Sequence, residues 1–265
     1  GGLSISPDNK FASFGVDIIG RRIYTIQIKN LETGEILADK IENVTGASVW
    51  ANDNNTIFYV RQDQVTLRAD KVFKHKLNTE SENDVLVFDE VDDTFNVSIS
   101  KEKSRKYIVI GSGSTITTEY RILNSDNPDG EFTVFQPRVR GLEYSISHYE
   151  DSFYILTNKD KATNFKLMKT PEDKTGKKNW VDLIPHREDV LLEDIEIFKN
   201  YLVVEERSNG LNHIRIMPWN GESDYYLPFG SETYNAYTTT NVDFDTDILR
   251  YSYQSLATPS SIIDF

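Results

Sequence analysis

The stretch Tyr107–Gly113 reads YIVIGSG and has the β-branched and aromatic content of a buried β-strand. Similar stretches recur along the chain, and their first residues lie 46 to 50 positions apart. They are Phe11–Asp17 (FASFGVD), Ile57–Gln62 (IFYVRQ), Tyr107–Gly113, Phe153–Asn158 (FYILTN), Tyr201–Ser208 (YLVVEERS) and Leu249–Ser255 (LRYSYQS). A fixed period of about 40–50 residues with several strands in each repeat is typical of a β-propeller.

Each repeat contains further short strands separated by turn residues. The first repeat predicts the strands Leu3–Ser6, Phe11–Asp17, Ile23–Lys29 and Glu35–Ile41. The second predicts Ala47–Trp50, Ile57–Gln62, Lys71–Leu77 and Val85–Asp89, whereas the sixth stops in its third strand near Ile262. No stretch has sustained helical spacing of apolar residues. The sequence therefore predicts an all-β propeller of four-stranded antiparallel blades, with about five complete blades and a truncated sixth.

Composition fits one partial propeller domain that covers residues 1–265. Aromatic residues make up 12% of the chain, and they fill the space between blades well. The chain has no cysteine, so neither a disulfide nor a thiolate metal site can form. A cysteine-free chain is compatible with a reducing compartment, and we expect a cytoplasmic location with the periplasm as the alternative.

The net charge of −13 argues against nucleic acid as the main partner, because the phosphate backbone would be repelled. An acidic surface instead attracts basic ligands. No apolar run approaches the roughly 20 residues that a membrane-spanning helix needs, so no membrane partner is expected.

Motifs for catalysis are weak. The run Gly111–Thr115 (GSGST) approaches the G-x-S-x-G pattern of serine hydrolases, but it lacks the final Gly and leads into another strand instead of a helix. A hairpin turn is the better interpretation. Glu205 and Glu206 lie next to each other on a strand, so their side chains point to opposite faces and cannot act as a carboxylate pair.

Metal and cofactor sites are not expected either. The run Asp243–Asp247 (DFDTD) resembles the start of a calcium loop, but the sixth position is Ile248 instead of Gly and the twelfth is Gln254 instead of Glu. The histidines fall on different repeats without metal-ligand spacing, and they are His75, His148, His186 and His213. From the residues alone, the chain is a binding or gating scaffold without chemistry of its own.

Several strings, in their order and spacing, carry a family resemblance. They are Leu31–Gly34 (LETG), Val49–Asp53 (VWAND) with Phe58–Arg61 (FYVR), Thr117–Arg121 (TTEYR), Leu183–Pro185 (LIP), Val203–Arg207 (VVEER), Asn209–Leu211 (NGL) and Leu249–Tyr253 (LRYSY) followed by Thr258–Pro259. Through them the whole chain resembles the propeller domain of the oligopeptidase B (protease II) branch of the prolyl oligopeptidase family of serine peptidases.

The resemblance implies a seven-bladed propeller paired with an α/β-hydrolase domain in one parent chain. The serine, aspartate and histidine of the family's triad belong to the hydrolase part, so this chain holds no catalytic residue. Such enzymes cleave short peptides after Lys or Arg, and the propeller covers the active site and excludes folded proteins. The chain would then be the lid and size filter of a peptidase, and its partners would be the hydrolase domain and short basic peptides.

The family also implies ion pairs that close the two domains. Our candidates for interdomain or substrate-facing charges are Arg22, Glu42, Arg61 and Asp63, because they lie near strand ends or turns of the early blades. Ordinary solvated surface charges, worth at most about 1 kcal/mol per pair, are the alternative for each. For the chain as a whole, a stand-alone propeller that binds peptides or proteins on one rim is the alternative.

Overall fold

The computed structural model describes residues 2–265, and β-strands dominate it. In this range 22 strands form five antiparallel sheets, and the helices are three short 3₁₀ turns. None of the helices within residues 2–265 has the length and apolar character needed to cross a lipid bilayer. The all-β class predicted from the repeat is confirmed. The chain divides into two compact units, Gly1–Gly141 and Leu142–Phe265.

The first unit starts with a seven-stranded sheet whose strands lie side by side in chain order. They are β1 (Leu3–Ile5), β2 (Phe11–Val16), β3 (Tyr24–Asn30), β4 (Ile36–Trp50), β5 (Thr56–Gln62), β6 (Ala69–Lys76) and β7 (Val85–Asp89). This sheet contains the first two repeats. A four-stranded sheet holds the third repeat, with strands β8 (Asn96–Lys101), β9 (Tyr107–Gly113), β10 (Thr118–Asn124) and β11 (Thr133–Val134).

β4 belongs to two blades at once. Its first half pairs with β3 and its second half pairs with β5, and Val44 between them is in register with both Tyr24 and Arg61. The sequence predicted two strands here, Glu35–Ile41 and Ala47–Trp50. The structure joins them into one strand of 15 residues, with a register shift next to Gly46.

The second unit contains two four-stranded sheets and one three-stranded sheet. The first four-stranded sheet consists of β12 (Tyr144–Tyr149), β13 (Ser152–Thr157), β14 (Lys166–Pro171) and β15 (Val181–Ile184). The second consists of β16 (Leu191–Ile197), β17 (Tyr201–Ser208), β18 (Leu211–Pro218) and β19 (Tyr225–Tyr226). The three-stranded sheet consists of β20 (Tyr234–Thr238), β21 (Arg250–Ser255) and β22 (Ser261–Asp264). The sixth repeat therefore forms three strands, and the third strand predicted near Ile262 is observed as β22.

Consecutive blades pack face to face through apolar side chains. In the first unit Phe58 and Val72 of one blade share a buried cluster with Ile108 and Ile110 of the next. In the second unit Leu156 and Leu167 lie in a cluster with Leu192, Leu202 and Val204. Burial of each such side chain contributes roughly 1.5–3 kcal/mol, so the alternation of apolar residues along the strands holds neighbouring blades together.

Antiparallel pairing gives each unit two loop edges. Val44 in the middle of β4 is in register with Tyr24 at the start of β3 and with Arg61 near the end of β5. These strand parts, together with the end of β2, therefore lie at one edge. In the first unit this edge carries residues 17–23, 43–46, 63–68, 90–95 and 114–117, and we call it the crossover rim. The opposite edge, the hairpin rim, carries residues 6–10, 31–35, 51–55, 77–84, 102–106 and 125–132.

Candidate functional site

The crossover rim of the first unit exposes apolar side chains at its loop tips. Ile18 is 90% exposed, Val65 91% and Val91 88%, and Ile19 and Ile116 are also exposed. Among the described loops of the hairpin rim in this unit, Leu31 is the one exposed large apolar side chain. Clustered exposed apolar residues mark interaction surfaces more often than solitary ones do. The crossover rim is therefore the candidate docking surface of this unit.

Short aspartate-centred turns hold these apolar tips outward. The Asp17 carboxylate accepts backbone N–H bonds from Ile19 (3.0 Å) and Gly20 (2.8 Å). Asp63 accepts from the N–H of Val65 (3.0 Å) and of Thr66 (2.7 Å), and also from the Thr66 hydroxyl. The bonds from Thr66 keep the pKa of Asp63 below its usual value. Both loops thus have a defined backbone shape that presents Ile18, Ile19 and Val65 to solvent.

A buried charge network lies directly beneath the rim. The Glu90 carboxylate accepts from the Arg138 guanidinium (2.6 Å) and from the Ser112 hydroxyl. Burial alone would raise the pKa of Glu90, but the hydrogen bonds from Arg138 and Ser112 outweigh it and lower the pKa. Arg138 also stacks 3.6 Å from the centre of the Phe95 ring. This network anchors the connection between the second and third blades.

Arg68 links two loops of the crossover rim to each other. Its guanidinium donates to the backbone carbonyls of Glu90 (3.3 Å), Asp92 (3.2 Å) and Phe95 (3.1 Å). The loop 63–68 and the connection 90–95 are therefore one hydrogen-bonded surface. Val65 and Val91 belong to these same two segments.

A second polar cluster crosses from the first blade to the second. His75 on β6 is fully buried, and its Nε2 lies 3.0 Å from Asp39 Oδ1 on β4. Its Nδ1 lies 2.7 Å from Oδ1 of Asp84, which follows the 3₁₀ turn Ser81–Asn83. We call Asp39, His75 and Asp84 the aspartate–histidine clamp. Burial alone would lower the pKa of His75, but the two carboxylates outweigh it and raise that pKa. The imidazolium form donates to both carboxylates, which a neutral ring cannot do.

Two further groups extend the clamp towards solvent. The Tyr59 hydroxyl donates to Asp84 Oδ2 (2.9 Å), and the Arg61 guanidinium donates to the Tyr59 oxygen (3.3 Å). Burial and the nearby Asp84 charge raise the pKa of Tyr59, so the phenol stays protonated. Arg61 lies 4.3 Å from the centre of the Phe73 ring. A cavity of about 650 Å³ opens beside these groups.

The four charged residues predicted from the sequence lie at or near the crossover rim, but their side chains make different contacts. Glu42 and Arg61 line the same cavity, and Glu42 forms an ion pair with Lys40. The Asp63 carboxylate accepts hydrogen bonds within its own turn. Arg22 is exposed, and its backbone carbonyl accepts a bond from the Gln62 side chain (2.6 Å). Their role at a domain interface stays a prediction.

The weak catalytic motif has a structural role. Gly111–Gly113 ends β9, and Ser114 closes the following hairpin through its N–H bond to the Thr117 carbonyl (2.9 Å). Ser112 is buried and donates to Glu90. The hairpin interpretation is confirmed.

The acidic run Asp243–Asp247 also has structural partners. Asp245 pairs with Lys199 (2.7 Å), and Asp247 accepts from the Asn200 side chain (3.3 Å). These bonds tie the loop to the turn before β17. Across residues 2–265 there is no group of three or more histidine or acidic side chains placed to hold a metal ion.

Sequence reasoning missed the clamp and the buried acids. In the second unit Glu206 is buried and accepts from Arg215 (3.1 Å), Arg187 and Tyr226 (2.8 Å). Its neighbour Glu205 accepts instead from the N–H of Thr238 (2.7 Å), as the predicted opposite faces require. The partners lie on other strands or loops, 9 to 33 positions away, so no local pattern could indicate these contacts.

Comparisons with known proteins cover the whole chain. A sequence profile of the prolyl oligopeptidase N-terminal β-propeller domain matches residues 1–265. The chain is 41% identical over 261 residues to dipeptidyl aminopeptidase BI of Pseudoxanthomonas mexicana, and 33% identical over 240 residues to protease 2 of Moraxella lacunata. These matches cover 98% and 90% of this chain, but 36% and 34% of the two relatives. The chain thus spans about a third of the length of these relatives.

Solved structures agree with the sequence comparison. Oligopeptidase B from Leishmania major superposes on all of this chain with a TM-score of 0.91 at 28% identity, and 38% of that protein is covered. The closed form of oligopeptidase B from Trypanosoma brucei, with covalently bound antipain, gives a TM-score of 0.90 at 26% identity, with the same two coverages. The predicted propeller architecture is confirmed by these matches.

Proposed function

Since this chain belongs to the prolyl oligopeptidase family, as its N-terminal β-propeller domain, we propose that it is the non-catalytic lid of a serine peptidase. In this proposal the parent protein cleaves short peptides after Lys or Arg. The propeller covers the active site of an α/β-hydrolase domain in the same parent chain and excludes folded substrates.

The exposed apolar crossover rim is the observation that carries the proposal. A surface with Ile18, Val65 and Val91 almost fully in water is costly for a protein that works alone, whereas a docked domain would bury them. The rim also carries charges of both signs, including Arg22 and Asp63, that suit a polar border around an apolar contact. We propose that this rim faces the hydrolase domain.

The negative net charge of the chain supports basic peptides as the proposed substrates. At −13 the propeller attracts basic peptides and raises their local concentration near an opening. The preference for Lys or Arg at the cleaved bond itself is assigned to the hydrolase domain, as the resemblance to the oligopeptidase B branch implies.

The test uses the full-length protein with Ile18→Asp and Val65→Asp combined. Buried carboxylates at the rim should weaken domain closure, so cleavage of a 40-residue basic peptide should increase at least fivefold relative to a tripeptide Arg anilide. The matched control is Leu31→Asp on the hairpin rim, which should leave the ratio unchanged. An unchanged ratio in the rim variant, with its fold intact by circular dichroism, would reject the lid assignment.

The stand-alone propeller is the second candidate, and the same apolar rim supports it. In that case the rim binds a separate protein and the reading frame encodes no hydrolase domain. A full-length reading frame with a G-x-S-x-G nucleophile downstream of Phe265 would exclude this candidate.

A further inference from the structure

The first half of β4 has an open edge. Residues 36–43 pair with β3 on one side, as in Ile26 with Ile41 and Gln27 with Lys40. β5 pairs with β4 only from Val44 onward, so no strand within residues 2–265 lies on the other side of this segment. An open strand edge offers a row of N–H and C=O groups to another extended chain.

A groove runs along this edge. The cavity of about 650 Å³ has one wall from Ala38 to Asn43 and another from Asn78 to Asp84, and Phe73 lies between them. Arg61 covers part of the Phe73 ring. The groove therefore provides both a strand edge and a surface for side chains.

The aspartate–histidine clamp holds the two walls in place. Asp39 belongs to the β4 wall and Asp84 to the opposite wall, and His75 bonds to both beneath the groove. The Asn78 N–H also donates to Asp39 (2.6 Å). Because these contacts are buried, the groove is a fixed feature of the first unit.

The charge of the lining favours a basic occupant. Five carboxylates and two basic side chains line the cavity. In the clamp Asp39 and Asp84 share the single positive charge of the His75 imidazolium, and Lys40 pairs with Glu42. Glu80 and Glu82 remain exposed on the far wall, and in the described part of the chain neither has an ion-pair partner. Lys or Arg side chains of an occupant would reach these two carboxylates.

We propose that an extended basic segment of another polypeptide adds to the open edge of β4 as an extra strand, opposite Glu80 and Glu82. Main-chain hydrogen bonds supply the affinity and alternate side chains supply the preference for Lys and Arg. Eight residues of β4 span about 26 Å, which fits an occupant of about five to eight residues. This site lies along the side of the unit and does not depend on the peptidase assignment.

The experiment uses the full-length protein after reaction with a serine-directed covalent inhibitor, so that cleavage cannot consume the probe. The probe is a fluorescein-labelled octapeptide that alternates Lys with Thr or Val. Fluorescence anisotropy measures its Kd, and hydrogen–deuterium exchange locates it. We expect slower exchange in residues 36–43 and 78–84 when the peptide is bound.

Two comparisons decide the mode of binding. The same peptide N-methylated at every residue should lose protection at β4, since full methylation removes the donors from both edges of an added strand. The double variant Glu80→Gln, Glu82→Gln should raise Kd roughly 5- to 20-fold, because each exposed ion pair is worth up to about fivefold. The control Glu222→Gln, Glu232→Gln changes two exposed acids of the second unit and should leave Kd unchanged within twofold.

Three experimental results would contradict the addition of a strand to β4. Absence of protection in residues 36–43, equal binding of the N-methylated peptide, or an unchanged Kd in the Glu80/Glu82 variant would each overturn the proposal. None of these results would bear on the lid assignment, which is tested at the crossover rim.

Discussion

At the scale of single residues, His75 makes two buried hydrogen bonds to carboxylates. Its ring is fully buried and has a carboxylate at each nitrogen. A buried charge is stable only when it is paired and hydrogen-bonded, and here both conditions hold. The clamp joins strands of different blades, so its strength affects how the first two blades stay together.

Replacing His75 with Gln should therefore destabilise the protein by about 3–5 kcal/mol, because two buried carboxylates lose their charged donor. The folded-state pKa of His75 is raised above that of the unfolded chain. Its stabilising contribution is thus complete below about pH 6.5 and is lost as the pH rises through the folded-state value. Urea unfolding at pH 6 and pH 9 measures the difference, which should be larger at pH 6.

His213→Gln is the matched control. His213 is half-buried and, among the described residues, has no carboxylate partner. This variant should cost much less than His75→Gln, because no buried carboxylate loses its donor. A His75 effect that is equal at both pH values would contradict the imidazolium assignment.

Arg138 provides a second test at this scale. Arg138→Leu leaves the Glu90 carboxylate buried without its cation, so we expect a loss of about 3–5 kcal/mol in the free energy of unfolding at pH 7. Adding Glu90→Gln should recover part of that loss, since the unpaired charge is then removed. Arg140→Leu, an exposed arginine two positions away, is the control. Strictly additive effects of Arg138→Leu and Glu90→Gln would contradict the coupling.

At the scale of elements, β4 explains how two blades share one sheet. Gly46 has φ of +87°, a conformation that L side chains rarely adopt, and it sits at the register shift between the two halves of the strand. A Cβ there would lie 3.0 Å from Cγ of Tyr24. The glycine is thus required both by the backbone angle and by the contact with β3.

Gly46→Ala should cost about 2–3 kcal/mol, from backbone strain together with the close contact at Tyr24. Gly34→Ala is the matched control, because Gly34 also has positive φ (+78°) but has open space around its Cβ position. It should cost only about 1 kcal/mol. Chemical denaturation measures both, and equal losses would show that the Tyr24 contact does not matter.

At the scale of the whole molecule, the acidic charge is the property most relevant to function. The −13 net charge acts over distances set by the Debye length, which falls from about 30 Å at 0.01 M salt to about 8 Å at 0.15 M. If the propeller attracts basic substrates, the effect should weaken as salt is added.

For the full-length protein, kcat/KM for a peptide of net charge +3 should fall at least threefold between 0.01 and 0.2 M salt. A peptide with the same cleavage site but acidic flanks and no net charge should change less than twofold, because steering depends on the substrate's own charge. Steady-state assays at several salt concentrations measure both values. A parallel decline for the two peptides would contradict steering by the propeller.

Much of the fold could be predicted from sequence because strand formation in this chain is local. The Tyr107–Gly113 strand was predicted with its observed bounds, and Tyr201–Ser208 likewise. The turn at Ser6–Asn9 contains Pro and Asp, which favour turns, and the Ser6 hydroxyl donates to Asp8 (2.7 Å). Period-two alternation and turn residues act over a few positions, so they can be read without knowing the tertiary structure.

The candidate site was predictable only in part. Arg22, Glu42, Arg61 and Asp63 were selected from the sequence because they lie near strand ends or turns of the early blades. Whether each side chain is free to contact another domain depends on its neighbours in the folded structure. The Asp63 carboxylate accepts hydrogen bonds within its own turn, and Arg61 packs on Phe73. Such choices depend on neighbours that come from other strands, and side-chain spacing does not reveal them.

The sequence by itself determined the repeat, the strands, the turns and the family, since each depends on residues close together in the chain or on the order of short strings. The tertiary structure alone decided the aspartate–histidine clamp, the continuous β4 and the open edge beside its groove. Asp39 and Asp84 lie on either side of His75 in sequence, but their carboxylates converge on its ring only after the first two blades have packed. Burial then makes that contact strong, because water no longer competes for the charges.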